Sequence, residues 1–178
     1  MARYTQGFTL IELMVTISVA AILLTIALPS YRSFVLNSRM SAQSNDFLSA
    51  LQLARSEAVK RGTQVSACKS ADNTQCTTSG AWAQGWIVFV DGSTAGTVDG
   101  TDIVLRAFSA LSGNSTLVGS ANVADYVAYQ ANGATSLAVG ANGIVSLCPT
   151  PGAVAGRDIQ ITASGRVRVQ NPPAAVCP

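Results

Sequence analysis

Gly7-Phe8-Thr9-Leu10-Ile11-Glu12 opens an apolar run that continues to Leu28 and carries no charge other than Glu12. From Phe8 to Leu28 the run is 21 residues long. As a helix rising ~1.5 Å per residue, it would cross the ~30 Å hydrocarbon core of a bilayer. A carboxylate at the centre of such a span costs about 2.5 to 3.5 kcal/mol on insertion scales, so Glu12 needs a partner or a function. An ordinary cleaved secretory signal fits poorly. Arg3 gives the basic start, but the apolar stretch exceeds the roughly 7 to 15 residues of such signals and leaves through Leu28-Pro29-Ser30-Tyr31 without an Ala-x-Ala pattern. A plain N-terminal anchor fits the length and leaves the placement of Gly7 and Glu12 unexplained.

This hexapeptide followed by an apolar helix resembles the class III signal of type IV pilins and type II secretion pseudopilins. The resemblance implies that a prepilin peptidase on the cytoplasmic side cuts after Gly7 and methylates the new amine, that of Phe8. Residues 1–7 are then a leader and residues 8–28 a transmembrane or filament-core helix. It further implies that Glu12 neutralises the N-terminal amine of a neighbouring subunit when the helix moves from membrane to filament. A desolvated charge becomes tolerable when an opposite, hydrogen-bonded one matches it. The implied partners are the peptidase, other major and minor pilins, and inner-membrane lipid before assembly.

Composition agrees with one small exported domain. Of the 178 residues, 48% are apolar and 11% charged, with a net charge of +2. That charge is too small for bulk attraction to nucleic acid or membrane, so any such role needs a local patch. Cys68, Cys76, Cys148 and Cys177 permit three pairings, and spacing alone does not choose among them. Proximity in the chain favours Cys68 with Cys76 and Cys148 with Cys177. Such bonds form in an oxidising compartment, which suits the periplasm. The absence of histidine and of any Cys-x-x-Cys spacing argues against zinc, and the expectation is no metal and no cofactor.

Beyond Leu28, helical character continues to Arg61, with a kink expected at Pro29. Met40, Phe47, Leu51, Ala54 and Ala58 draw one apolar stripe, and Arg39, Gln43, Asp46 and Glu57 are assigned to the polar face. Lys60 and Arg61 suit the last turn, and Gly62 stands where a C-terminal cap belongs. Residues 29–62 are therefore an amphipathic continuation of the helix. From residue 63 to 178 the pattern turns to alternation with frequent turn signals. Strands are expected at Gln64–Cys68, Gly85–Val90, Ile103–Phe108, Tyr126–Gln130, Ile144–Leu147, Ile159–Thr162 and Arg166–Gln170. Asp91-Gly92, Asp99-Gly100, Asn132-Gly133 and Asn142-Gly143 are read as turns between them. The class is α+β: one long helix packed on an antiparallel sheet or small sandwich.

Ala54-Arg55-Ser56-Glu57-Ala58-Val59-Lys60-Arg61 and Trp82-Ala83-Gln84-Gly85-Trp86-Ile87-Val88-Phe89-Val90-Asp91 resemble the GspH/FimT/FimU branch of minor pilins and pseudopilins. The resemblance implies the type IV pilin-like fold. Trp86, Val88 and Val90 on one strand face and Ile87 and Phe89 on the other read as core, and Arg55 with Glu57 as a solvated helical face.

Catalysis has little support. Without histidine no Ser-His-Asp or Cys-His site can form, and the aspartates lack the order of a calcium loop. The sharpest surface feature is Ser164-Gly165-Arg166-Val167-Arg168-Val169. Gly165 offers a turn, after which Val167 and Val169 can face the core while Arg166, Arg168 and Gln170 face water. Guanidinium groups are always charged and bind phosphates bidentately. Gly165-Arg166-Val167-Arg168 also resembles the Gly-Arg-x-Arg motif associated with DNA uptake in FimT-like minor pilins, which implies contact with double-stranded DNA. The bland alternative is a hairpin edge whose arginines pair with Asp158. Arg157 and Lys69 are candidates to enlarge the patch. The expected protein is a minor pilin helping to start assembly at the tip of a type IV pilus, with a GspH-type pseudopilin of type II secretion as the alternative. It would sit first in the bacterial inner membrane with its C-terminal domain in the periplasm, then in the pilus.

Overall fold

A computed structural model describes residues 7–149 and 155–170. The helix α1 runs Leu10–Arg61, 52 residues, through Pro29. Its start is fixed by Thr9, whose hydroxyl accepts the backbone N–H of Glu12 at 3.3 Å. Its end is fixed by Gly62 at φ 67°, whose N–H returns to the Ala58 carbonyl. At ~1.5 Å per residue such a helix is roughly 78 Å long. All residues from 8 to 34 are exposed, and the packed stripe begins at Met40.

The five stripe residues named from spacing are all buried, joined by Ala50, Ser44 and Gln43. Gln43 is a correction to the polar face. It lies three residues after Met40 and four before Phe47, hence on the same stripe, and its amide nitrogen donates to the Ser112 carbonyl at 2.8 Å.

The body is two antiparallel four-stranded sheets. The first, in order β3-β2-β1-β5, joins β1 (Val65–Lys69), β2 (Gly85–Val90), β3 (Ile103–Ser109) and β5 (Tyr126–Tyr129). The second, β4-β6-β7-β8, joins β4 (Thr116–Gly119), β6 (Asn142–Cys148), β7 (Arg157–Thr162) and β8 (Val167–Gln170). The helix packs on β1, β2 and β5 of the first sheet and on β7 and β8 of the second, so its apolar stripe closes both. Phe47 is the centre of this junction, edge-on to Trp82 at 5.1 Å and to Trp86 at 5.3 Å. Trp82 secures its indole N–H on the Val123 carbonyl at 3.0 Å. Ile87 and Phe89 point to the other face of β2, where with Cys68 they form a smaller cluster.

Cys68 is bonded to Cys76, closing the loop 69–75 as proximity in the chain suggested. Cys148 ends β6, and Cys177, its expected partner, lies outside the described residues. Two further expectations change. Asn142-Gly143 is not a turn but the start of β6, where Gly143 lets the strand pass against Val123, whose methyl groups fill the space a Cβ would need. Strand β4 was not anticipated, because Thr116-Leu117-Val118-Gly119 is too short for alternation to register.

Candidate functional sites at the helix start and the last hairpin

At the helix start, Glu12 is exposed and pairs with no cation among the described residues. At Gly7 a Cβ would meet nothing within 4 Å among the described residues. Among the described residues nothing crowds that position so as to require glycine.

At the other end, the β7–β8 connection is built by Gly165. Its N–H reaches the Thr162 carbonyl at 2.9 Å, and the Thr162 N–H takes the Arg166 carbonyl at 3.0 Å. This is a tight three-residue loop, Ala163-Ser164-Gly165, with glycine at the left-handed position, φ 79°. The Thr162 hydroxyl also accepts the Arg166 N–H at 3.2 Å. Arg166 therefore closes the hairpin just before β8, rather than opening the strand as expected. A Cβ on Gly165 would strike the Gly133 carbonyl, so the same glycine lets the 131–134 turn lie against the hairpin.

Arg166, Arg168 and Gln170 are exposed, as alternation required. Val167 packs partly on the core, whereas Val169 is 39% exposed because β8 is an edge strand. Neither arginine has a salt bridge among the described residues. Asp158 is buried and accepts the Ser146 hydroxyl at 2.7 Å, inside the sheet and facing Gln170 in register rather than either arginine.

Neither residue suggested as an extension of the patch belongs to it. Lys69 is buried, with its ammonium on Asp125 at 2.7 Å and on the carbonyls of Thr78 and Gly80 at 3.1 and 3.0 Å, which uses all three donors. Arg157 lies at the opposite end of β7 and donates to the Ser44 hydroxyl at 3.3 Å.

The basic residue that does reach the hairpin is Arg55. Glu57 pairs instead with Arg61 at 2.6 Å and Lys60 at 3.5 Å, and the Arg61 hydrogen bond holds its carboxyl below the usual range. Arg55 leaves the helix surface to donate to the Ser164 carbonyl at 3.3 Å. Beside it is an open cleft of about 210 Å³ whose lining includes the polar residues Gln52, Arg55 and Arg166, with Leu51, Tyr129 and Val167. Tyr129 is fully buried, and its hydroxyl has no hydrogen-bond partner among the described residues. Leaving such a group unpaired costs about 1 to 3 kcal/mol. Burial pushes its pKa up, with the Arg55 charge acting more weakly in the other direction. Nothing in the spacing of Arg55 or Tyr129 announces this meeting; it arises where helix, first sheet and last hairpin converge.

Comparison with known proteins gives a consistent family. The family described as type II transport protein GspH matches residues 43–165, and the prokaryotic N-terminal methylation motif matches residues 2–28. Fimbrial protein EcpC of Eikenella corrodens is 52% identical over 40 residues, which is 22% of this chain and 26% of that protein. Two crystal forms of the type IV minor pilin FimU of Pseudomonas aeruginosa share the fold. One superposes with a TM-score of 0.60 at 20% identity, covering 78% of this chain and 93% of that one. The other gives 0.53 at 22% identity over 77% and 94%. The chain belongs to the GspH family of type IV pilin-like proteins, with an N-terminal methylation motif ahead of the family domain.

Proposed function

We propose that the chain is a minor pilin of a type IV pilus that helps start assembly at the filament tip and binds double-stranded DNA there. The observation that carries the subunit reading is the division of α1: a wholly exposed apolar half bearing one carboxylate without a cation among the described residues, continuous with a half buried under two sheets. The exposed half calls for lipid first and for other pilin helices afterwards. In this reading residues 1–7 are removed by a prepilin peptidase, Phe8 is methylated, and Glu12 meets the amine of a neighbouring subunit. Gly7 serves the peptidase, since nothing among the described residues crowds it. Residues 8–28 lie in the inner membrane, residues 29–62 continue the helix, and the body from residue 63 lies in the periplasm, with Cys148 paired to Cys177.

The DNA reading is supported by Arg166 and Arg168, exposed at a sheet edge without salt-bridge partners among the described residues. Arginines so placed meet phosphates without reading base edges. The full chain in a non-ionic detergent should bind duplex DNA with little sequence preference and less tightly as salt rises. Replacing Arg166 and Arg168 by Gln should lower the logarithmic salt slope by up to ~2, since each phosphate contact contributes ~0.9. No binding at low salt, or an unchanged slope in a folded double variant, would remove DNA from the function.

A second reading, a pseudopilin of type II secretion, is favoured by the GspH description matched over residues 43–165. Deleting the gene separates the two. Loss of surface pili with secretion intact supports the pilus, and loss of exported enzymes with pili intact supports the secretion system.

A further inference from the structure

We propose that the two open clefts meeting at Asp125 and Tyr126 bind a neutral oligosaccharide, with one sugar unit seated on each side of that pair. None of the residues that carry the DNA reading takes part. One cleft, of about 240 Å³, lies between the start of β5 and residues 135–137, and its polar lining is Asn122, Asp125, Tyr126, Thr135 and Ser136. The other, of about 210 Å³, lies between the same pair, the segment after the Cys68–Cys76 loop and the 95–97 turn, and adds Thr77, Thr78 and Thr97. Asp125 is the only charged residue in either lining. Each cleft is smaller than the ~300 to 1,000 Å³ of pockets that enclose a drug-sized ligand. A ligand that uses both is therefore a chain of small units.

The buried Lys69 ammonium frames this place. It holds Asp125 Oδ1 at 2.7 Å and the Thr78 and Gly80 carbonyls at 3.1 and 3.0 Å, so one side chain ties the shared carboxylate to the wall of the second cleft. The Cys68–Cys76 bond pins the same wall, and the opposite loop closes on the Tyr126 ring at Gly96, where a Cβ would strike the ring. Burying an ammonium is costly unless it is paired. Here the pairing fixes a carboxylate that stays 40% exposed and gives Lys69 only one oxygen. That decides the charge of the ligand. An anion would meet the exposed carboxylate, and a cation would find it already matched by Lys69. A neutral ligand rich in hydroxyls meets neither penalty, and its hydroxyls gain charge-assisted bonds to the carboxylate. The walls supply further partners. The Asn122 amide N–H is spent on the Asn142 carbonyl, which leaves its oxygen as an acceptor. The Thr77 hydroxyl accepts the Ser79 N–H and can still donate, and Ser136 and Thr97 are exposed. Half-buried Tyr126 adds an aromatic body with a polar tip, which suits the C–H face and hydroxyl rim of a sugar ring.

The full chain is titrated in a detergent without a sugar headgroup, and the backbone amide signals of Asp125 and Tyr126 are followed by NMR. The neutral probes are N-acetylchitotetraose and maltotetraose, and the anionic probe is tetragalacturonate. At least one neutral probe should shift both signals saturably, and tetragalacturonate should bind more weakly than that probe. Asp125→Asn should weaken binding about ten-fold, the loss of a charge-assisted bond. Ala121→Trp and Ala95→Trp alter exposed positions that line one cleft each, so they fill the clefts without touching the Lys69 frame. Each should weaken binding several-fold at an unchanged melting temperature. The Arg166/Arg168 double variant should bind the sugar like the parent. No shift with either neutral probe, equal or tighter binding of tetragalacturonate, or a tryptophan variant that binds like the parent overturns the two-cleft site. If Asp125→Asn also lowers the melting temperature, because Lys69 loses its counter-charge, the two tryptophan variants decide alone.

Discussion

Gly165 illustrates how much one residue can be asked to do. Its left-handed φ of 79° alone would cost another residue about 1 to 2 kcal/mol, and the Gly133 carbonyl occupies the space a side chain would need. Gly165→Ala should therefore lower thermal stability by more than the φ cost, and it should displace Arg55 from Ser164. A melting curve beside that of Gly62→Ala, where φ is also positive but a Cβ would meet nothing within 4 Å, separates the clash from the φ cost. Tyr129 makes a second prediction at this scale. Its folded pKa is raised above the ordinary value of 10, so the native state keeps a proton that the unfolded chain releases. That contribution to stability is whole below pH ~10 and declines as pH rises beyond it. Urea unfolding above pH 10 should show the decline in the parent chain and a smaller one in Tyr129→Phe. The turn at Gly165 and the outward arginines were legible from sequence because they rest on local rules, left-handed glycine and alternation. Arg55 and Tyr129 were not, because their meeting depends on how three separated elements pack, and the only local reading of Arg55 was a solvated helical face shared with Glu57.

Among elements, the long helix was the most legible. Its stripe repeats over several turns, and both its caps are local. Strand β2 was equally plain, since Trp86 to Val90 alternates between two buried faces, whereas four-residue β4 left no period to find. The Asn-Gly pairs mark the limit of turn chemistry: Asn132-Gly133 is a turn, while Asn142-Gly143 is strand because Val123 demands a bare Cα. The loop 69–75 gives the prediction for this scale. It is held by the Cys68–Cys76 bond and, just beyond, by the buried Lys69 ammonium on Asp125, Thr78 and Gly80. For a separation of 8 residues the chain-entropy account gives the disulfide about 2.5 kcal/mol. Replacing both cysteines by Ala should cost about that amount, plus the packing lost where buried Cys68 meets Ile87 and Phe89, and leave the body folded because the lysine bonds remain. Lys69→Met should cost more than a surface change, since it leaves two carbonyls unpaired. If removing the disulfide unfolded the body altogether, the lysine would not be a second fastening.

For the molecule as a whole, the proposed function takes its order of events from the division of α1. With its apolar half exposed, the chain has two surroundings that can cover residues 8–28, lipid and a bundle of like helices. In lipid Glu12 is a liability, and in a bundle it can meet an amine. On the proposed function, the carboxylate favours the filament by penalising the membrane and rewarding assembly. Glu12→Ala should insert into membranes at least as readily as the parent, because a buried charge near the span is costly, yet enter filaments poorly. Membrane fractionation and quantification of the subunit in sheared filaments measure the two halves of this expectation separately. Glu12→Gln, which keeps size and hydrogen bonding but not charge, should resemble Ala if the partner is a cationic amine. If Glu12→Gln enters filaments like the parent, the residue acts through shape or neutral hydrogen bonding, and the amine pairing is wrong. Intact mass of the same preparations gives an independent check on the leader. The parent should begin at a methylated Phe8, and replacement of Gly7 by a bulky residue should leave residues 1–7 attached while the body, which makes no contact with that position within 4 Å, folds unchanged.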